Sequence, residues 1–234
     1  MIWSYKGMTE QRKSAPGSDW RDQDLGIALK QAEPMFSSPV LTYELKGCDA
    51  LNTQLVRDIQ RYRANSPGIT RSNRNAWHSD SDVFQREEES FRLFGACVTK
   101  IIQAATKQVS PRLDMDRYRL LMSGWVNING RGGFNIPHDH PKEMWSGCYY
   151  VKIPQNRSGM SGDIEFLDPR TSVQAWAVPG SFHFQTRVRK SPQAGLLLLF
   201  PSYLRHWVYP NEEEEERISI AFNARLEPID EVSG

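Results

Sequence analysis

The apolar positions of this chain change period near Pro111. Before it they recur at helical steps. Over 49–63, Leu51, Leu55, Ile59 and Tyr62 fall on one helix face, and Asp49 stands where an N-cap belongs. The stretch 87–109 predicts the clearest helix: Phe91, Phe94, Cys97, Val98, Ile101, Ile102 and Ala105 form one stripe. Glu87, Glu88 and Glu89 sit in its first turn, where negative charge suits the helix dipole. The segment 36–45 alternates loosely around Val40, Leu41 and Tyr43 and predicts a strand, whereas 65–81, rich in Ser, Asn, Arg and Asp, reads as a loop. Residues 1–33 are polar, contain Pro16-Gly17, and read as an N-terminal extension with a short helix over 24–33, stopped by Pro34.

After Pro111 the texture becomes short apolar segments separated by Gly, Pro, Asn and Ser. They cover 118–128, 144–153, 163–167, 173–177, 181–188, 196–200, 206–209 and 218–226. Such a series predicts a β-sandwich or barrel rather than βαβ units. The expected organisation is an extension over 1–33 and a single domain over 34–234. Within that domain, helical support over 48–110 precedes an all-β half over 115–226.

Composition narrows the class. The 234 residues are 39% hydrophobic and 24% charged, as in ordinary globular domains, and suffice for a sizeable core. A net charge of +1 argues against a general nucleic-acid or membrane-surface binder. No apolar run approaches the roughly 20 residues that span a bilayer, and the N-terminal residues lack the apolar stretch of a secretory signal. Cys48, Cys97 and Cys148 are few and widely spaced, and read as small core residues in a reducing, cytoplasmic setting.

Two blocks carry candidate chemistry. In IPHDHP, His138 and His140 are two apart, so on an extended backbone both side chains aim to one side and Asp139 to the other. Taken alone, this pair also suits two exposed loop histidines. The second block, AGLLLLFPSYLRHWVYP, is an apolar strand, a turn and a second strand beginning at His206. Arg217 follows eleven residues later, and a hairpin with the acidic run 212–216 at its tip would return it beside His206. Arg217 and Ser219 share parity, and a buried arginine next to a hydroxyl is a natural receptor for a carboxylate.

Together these residues resemble the iron(II)- and 2-oxoglutarate-dependent oxygenases. The pattern there is His-x-Asp/Glu, a distal His, and an Arg about ten residues on, often as Arg-x-Ser. Here His138-Asp139-His140, His206, Arg217 and Ser219 match it. The strands SGCYYV, SGDIEFLDP and GLLLLFPSYLRHWV resemble those of the prolyl-hydroxylase-like branch, and the chain is most similar to small oxygenases carrying the HxHP variant, over about 35–226. The resemblance implies a mainly β double-stranded β-helix (jelly roll) with N-terminal helices. It departs at His140, where the family carries a carboxylate, so a three-histidine metal face is expected.

The resemblance further implies Fe(II), 2-oxoglutarate as cosubstrate and O2, with Arg217, Ser219, Tyr150 and Asn127 on the cosubstrate. The expected outcome is hydroxylation of an unactivated C–H bond of a small-molecule or peptidyl substrate. Trp145 and Trp207 are candidates for a substrate wall or for core packing, and His78 and His183 have no partner at metal spacing. A three-histidine, cupin-like dioxygenase independent of 2-oxoglutarate, a non-catalytic β-helix binding module, and a homodimer all stay open at this level.

Overall fold

The computed structural model describes residues 28–31, 33, 36–170 and 185–229. Contacts divide the chain into a unit ending at Ser37 and a unit spanning Ser38–Gly234. In the first, residues 28–31 and 33 lie in no helix. That part of the helix expected over 24–33 is not formed, and the rest falls outside the described residues.

The second unit contains helices α1 (Asp49–Ala64) and α2 (Glu89–Val109). Its strands are β1 (Leu41–Glu44), β2 (Asn73–His78), β3 (Tyr118–His138), β4 (Trp145–Lys152), β5 (Ile164–Leu167), β6 (Arg187–Lys190), β7 (Leu196–Pro201), β8 (His206–Val208) and β9 (Arg217–Pro228). They form one antiparallel sheet in the order β1-β7-β4-β9-β3-β8-β5-β6, with β2 added on β3. Its neighbours are largely non-consecutive in sequence, and the curled sheet is that of a double-stranded β-helix. The segment expected over 173–177 lies outside the described residues, as does the first half of that over 181–188.

Period-two alternation gives each central strand two buried faces. Tyr149 and Val151 of β4, Leu197 and Leu199 of β7, Ile218, Ile220 and Phe222 of β9, and Val126 and Ile128 of β3 pack on the helices. There α2 supplies Phe91, Phe94, Val98, Ile102 and Ala105, all at 0–1% exposure. Each of the larger side chains stabilises the fold by about 1.5–3 kcal/mol. Gly147 is required at this contact, since a Cβ there would stand 2.2 Å from the Phe222 ring. Residues of opposite parity, including Cys148 and Tyr150, face the inside of the curl.

Three local expectations change. α1 starts one residue earlier than an Asp49 cap requires: Cys48 occupies the N-cap and Asp49 the first turn. Likewise α2 starts at Glu89, with Glu88 at the N-cap, where it pairs with Arg86 at 2.7 Å. The presumed loop over 65–81 contains β2. That strand is held less by apolar burial than by polar bonds: buried Asn73 accepts from the Arg71 N–H and donates to the Ile69 and Ala76 carbonyls.

Strand β3 sets up the site. Its residues 118–129 pair with β9, whereas Asn135 and His138 pair with β8. The change of partner follows Gly130–Gly133, where Gly132 takes φ 74°, a conformation glycine adopts without strain. One strand thereby runs from Asn127 to His138 across both halves of the fold. Among the described residues no helix is long and apolar enough to cross a membrane.

Candidate functional site

His138 ends β3 and stands opposite His206, the first residue of β8. His140 lies two residues beyond, tethered by its N–H to the Ser202 carbonyl at 3.0 Å. The three rings converge, with centroids 5.0 Å (His138–His140), 4.5 Å (His138–His206) and 5.4 Å (His140–His206) apart. One ligand nitrogen from each lies within 4.8 Å of the others, a grouping that can hold a metal ion. Asp139 is exposed and outside the grouping, as its parity requires.

Hydrogen bonds orient the rings. His138 Nδ1 lies 2.7 Å from the Ile136 carbonyl and His206 Nδ1 lies 2.8 Å from the Leu204 carbonyl. A carbonyl only accepts, so each Nδ1 carries the proton and Nε2 keeps its lone pair. His140 Nδ1 lies 3.3 Å from the Asn223 amide, which also accepts from Ser146 Oγ at 2.7 Å. Rotating that amide by half a turn makes Nδ1–H the donor and Ser146 Oγ the acceptor, freeing His140 Nε2 in the same way. Burial, reinforced by His138, lowers His206 to about 3 and His140 to about 4, and burial also lowers His138. At neutral pH all three are uncharged, the state that ligates a cation.

Beside the triad is a narrow cavity lined in part by Asn127, Cys148, Arg217 and Ser219. Arg217 is 2% exposed, and its Nη1 donates to Ser219 Oγ at 3.1 Å and Asn129 Oδ1 at 3.3 Å. Among the described residues no carboxylate pairs with it, and its Nε has no partner. Tyr150 Oη, Asn127 Oδ1 and Asn129 Nδ2 are likewise buried without protein partners. The Arg217 guanidinium lies 5.2 Å from the centre of the Tyr150 ring. Burial raises the Tyr150 phenol, with the Arg217 charge opposing it in part. Gly162 backs the arginine stem, since a Cβ there would sit 3.0 Å from Arg217 Cδ. A buried cation surrounded by orphaned polar atoms is costly unless an anion completes it. The donor set therefore fits a ligand carboxylate.

The hairpin expected between His206 and Arg217 is not formed. β3 lies between β8 and β9, so the connection through 209–216 crosses over it. The acidic run is consequently no free tip. Glu213 accepts from the Ser158 N–H and hydroxyl, Glu214 pairs with Arg131, and Glu216 with Arg63 and Gln60. Beneath them buried Asn211 donates to the Asn129 and Glu215 carbonyls.

Other expectations divide. Trp145 is a core residue bonded to Thr106 Oγ1, and Trp207 donates to Glu165; neither lines a cavity at the triad. Cys148, read from sequence as mere core, faces Arg217 and Ser219. His78, which had no sequence partner, is 4% exposed and stacks on Trp125, itself against His140. The parity of Tyr150 and Asn127 could have found Cys148, Trp125 and Asn129, each two residues away. Nothing in the sequence marks His78. His183 lies outside the described residues.

Residues 123–223 match the family described as "Putative 2OG-Fe(II) oxygenase". No curated protein matches the chain. Among solved structures, a prolyl-4-hydroxylase from Pseudomonas putida is 16% identical, with TM-score 0.56 over 81% of this chain and 93% of that one. A Trichoplax adhaerens prolyl hydroxylase, solved with a hypoxia inducible factor peptide fragment, is 16% identical, with TM-score 0.55 over 79% and 82%. HygX from Streptomyces hygroscopicus, solved with nickel, 2-oxoglutarate and hygromycin B, is 11% identical, with TM-score 0.56 over 80% and 82%. At these identities the likeness establishes the fold. The matched segment 123–223 holds the histidine triad together with Arg217, Ser219, Tyr150 and Asn127.

Proposed function

We propose that the protein is an Fe(II)- and 2-oxoglutarate-dependent dioxygenase that hydroxylates an unactivated C–H bond of a small-molecule or peptidyl substrate. The observation that carries this reading is Arg217, a buried guanidinium without a carboxylate partner among the described residues, in the same cavity as three convergent neutral imidazoles. His138, His140 and His206 would hold the iron through their free ring nitrogens. Arg217 and Ser219 would take the far carboxylate of 2-oxoglutarate, with the Tyr150 hydroxyl and Asn127 amide as further partners. Iron(II), 2-oxoglutarate and O2 together supply the oxidation, in which 2-oxoglutarate is decarboxylated to succinate. The chain's own share is to orient the cosubstrate and to keep water out of a cavity walled by Phe200, Ile164 and Val208.

A three-histidine face also suits dioxygenases that need no 2-oxoglutarate, and Arg217 weighs against that alternative. The two separate in an anaerobic titration of the iron-loaded chain, followed by calorimetry. Saturable 2-oxoglutarate binding, and O2-dependent succinate release, are expected. Iron binding with no affinity for 2-oxoglutarate would sink the reading.

A further inference from the structure

The triad has a second side. A wider cleft of about 390 Å³ opens beside His138 and His140 and is lined by Arg71, Ser72, His78, Ser81 and Trp125. Its volume falls in the range of small-ligand pockets, ~300–1,000 Å³. It shares Ser72, Trp125 and two of the histidines with the Arg217 cavity, so Trp125 stands where the two meet.

The lining has a definite chemistry. Arg71 is the one formally charged side chain in it, and its guanidinium makes no hydrogen bond or ion pair among the described residues; only its backbone N–H and carbonyl are engaged. The neighbouring acids Asp80 and Asp139 are exposed and do not line the cleft. Ser72 and Ser81 add hydroxyls to the lining. Part of the lining is flat: the His78 and Trp125 rings stack with centroids 5.7 Å apart and planes within 10°. The ring contact continues to His140 at 5.6 Å. His78 is held in place by Nδ1–H donation to the Ser79 carbonyl at 2.6 Å.

We propose that this cleft seats the substrate and selects a small carboxylic acid. Its carboxylate is held by Arg71, and its apolar body lies along the Trp125 wall toward His138 and His140. A single arginine matches the single charge of a carboxylate; a phosphate dianion would leave one charge uncompensated. The assignment deepens the oxygenase reading and rests on it for the identity of the reaction, but the binding it asserts can be tested without turnover.

The test compares phenylacetate with phenylacetamide, which share shape and differ in charge, by ligand-observed NMR on the full chain. The acid should bind at least roughly tenfold more tightly, as one charge-assisted hydrogen bond requires. That preference should collapse in Arg71→Gln and persist in Arg119→Gln, an arginine on β3 that is exposed as Arg71 is but does not line the cleft. It should also persist in Arg217→Gln, which removes the other arginine able to bind an acid. Equal binding of acid and amide, or a preference that survives Arg71→Gln, overturns the proposal. So does a preference that disappears in Arg217→Gln, because the probe would then occupy the cosubstrate cavity. Failure of 2-oxoglutarate to bind the wild-type chain would defeat the oxygenase reading and leave the acid-over-amide comparison to judge the cleft.

Discussion

Arg217 on β9 stands opposite Asn129 on β3 in register, and among the described residues its Nη1 meets only neutral acceptors, Asn129 Oδ1 at 3.3 Å and Ser219 Oγ at 3.1 Å. A buried cation satisfied by dipoles alone contributes little to the stability of the ligand-free chain. Replacing it by an apolar side chain of similar length separates function from folding. Arg217→Met is expected to leave the thermal midpoint unchanged or slightly raised. It should weaken 2-oxoglutarate binding by about 2–5 kcal/mol while iron still binds. Calorimetry and thermal denaturation on the same variant check both halves. A strong loss of stability with unchanged 2-oxoglutarate affinity would make Arg217 a structural residue.

The metal prediction turns on parity. His138→Ala, His140→Ala and His206→Ala should each lower the iron content of the purified chain severalfold, whereas exposed Asp139→Ala should load normally. Elemental analysis after anaerobic reconstitution decides it. Loss of iron from the Asp139 variant alone would reverse the assignment.

The lowered histidines give the metal-free chain a pH dependence with a definite sign. In the unfolded chain imidazoles take up protons as pH falls through about 6.5. In the folded chain His140 and His206 resist protonation until about 4 and about 3. Below pH 6.5 the unfolded state therefore binds more protons, and stability falls as pH falls. The thermal midpoint should be level above pH 7 and decline between pH 6.5 and 5, before ordinary carboxylates titrate. His140→Gln should flatten part of that decline. A level midpoint across this window would contradict the buried, neutral triad.

The loop that crosses β3 should depend on its buried amide more than on its charges. Asn211→Ala leaves the Asn129 and Glu215 carbonyls without their donor and should cost about 1–3 kcal/mol. Glu212 and Glu214 are exposed, and neutralising 212–216 to Gln should cost less than that, since surface ion pairs contribute about 0–1 kcal/mol each. Denaturant unfolding of the two variants ranks them.

Much of this molecule is local and was therefore legible in sequence. A strand turns its side chains by half a revolution per residue. Parity alone thus put His138 with His140, Arg217 with Ser219, and Tyr149 opposite Tyr150, and the structure keeps all three relations. The α2 stripe is equally local, because a 3.6-residue period brings Phe91, Phe94, Val98 and Ile102 to one face wherever the helix packs. Three things were decided only in the fold. β2 was hidden because its stability comes from Asn73 side-chain bonds and from pairing with β3, neither of which leaves a hydrophobic period. His78 reached the triad because that pairing sets it opposite Asn127, 49 positions away in sequence. And His206 and Arg217, eleven residues apart, proved not to be hairpin partners, because β3 inserts between β8 and β9. Spacing limits how far two residues can lie apart, but which strand fills the space between them depends on backbone hydrogen bonds to distant segments, which any sequence of suitable parity can make.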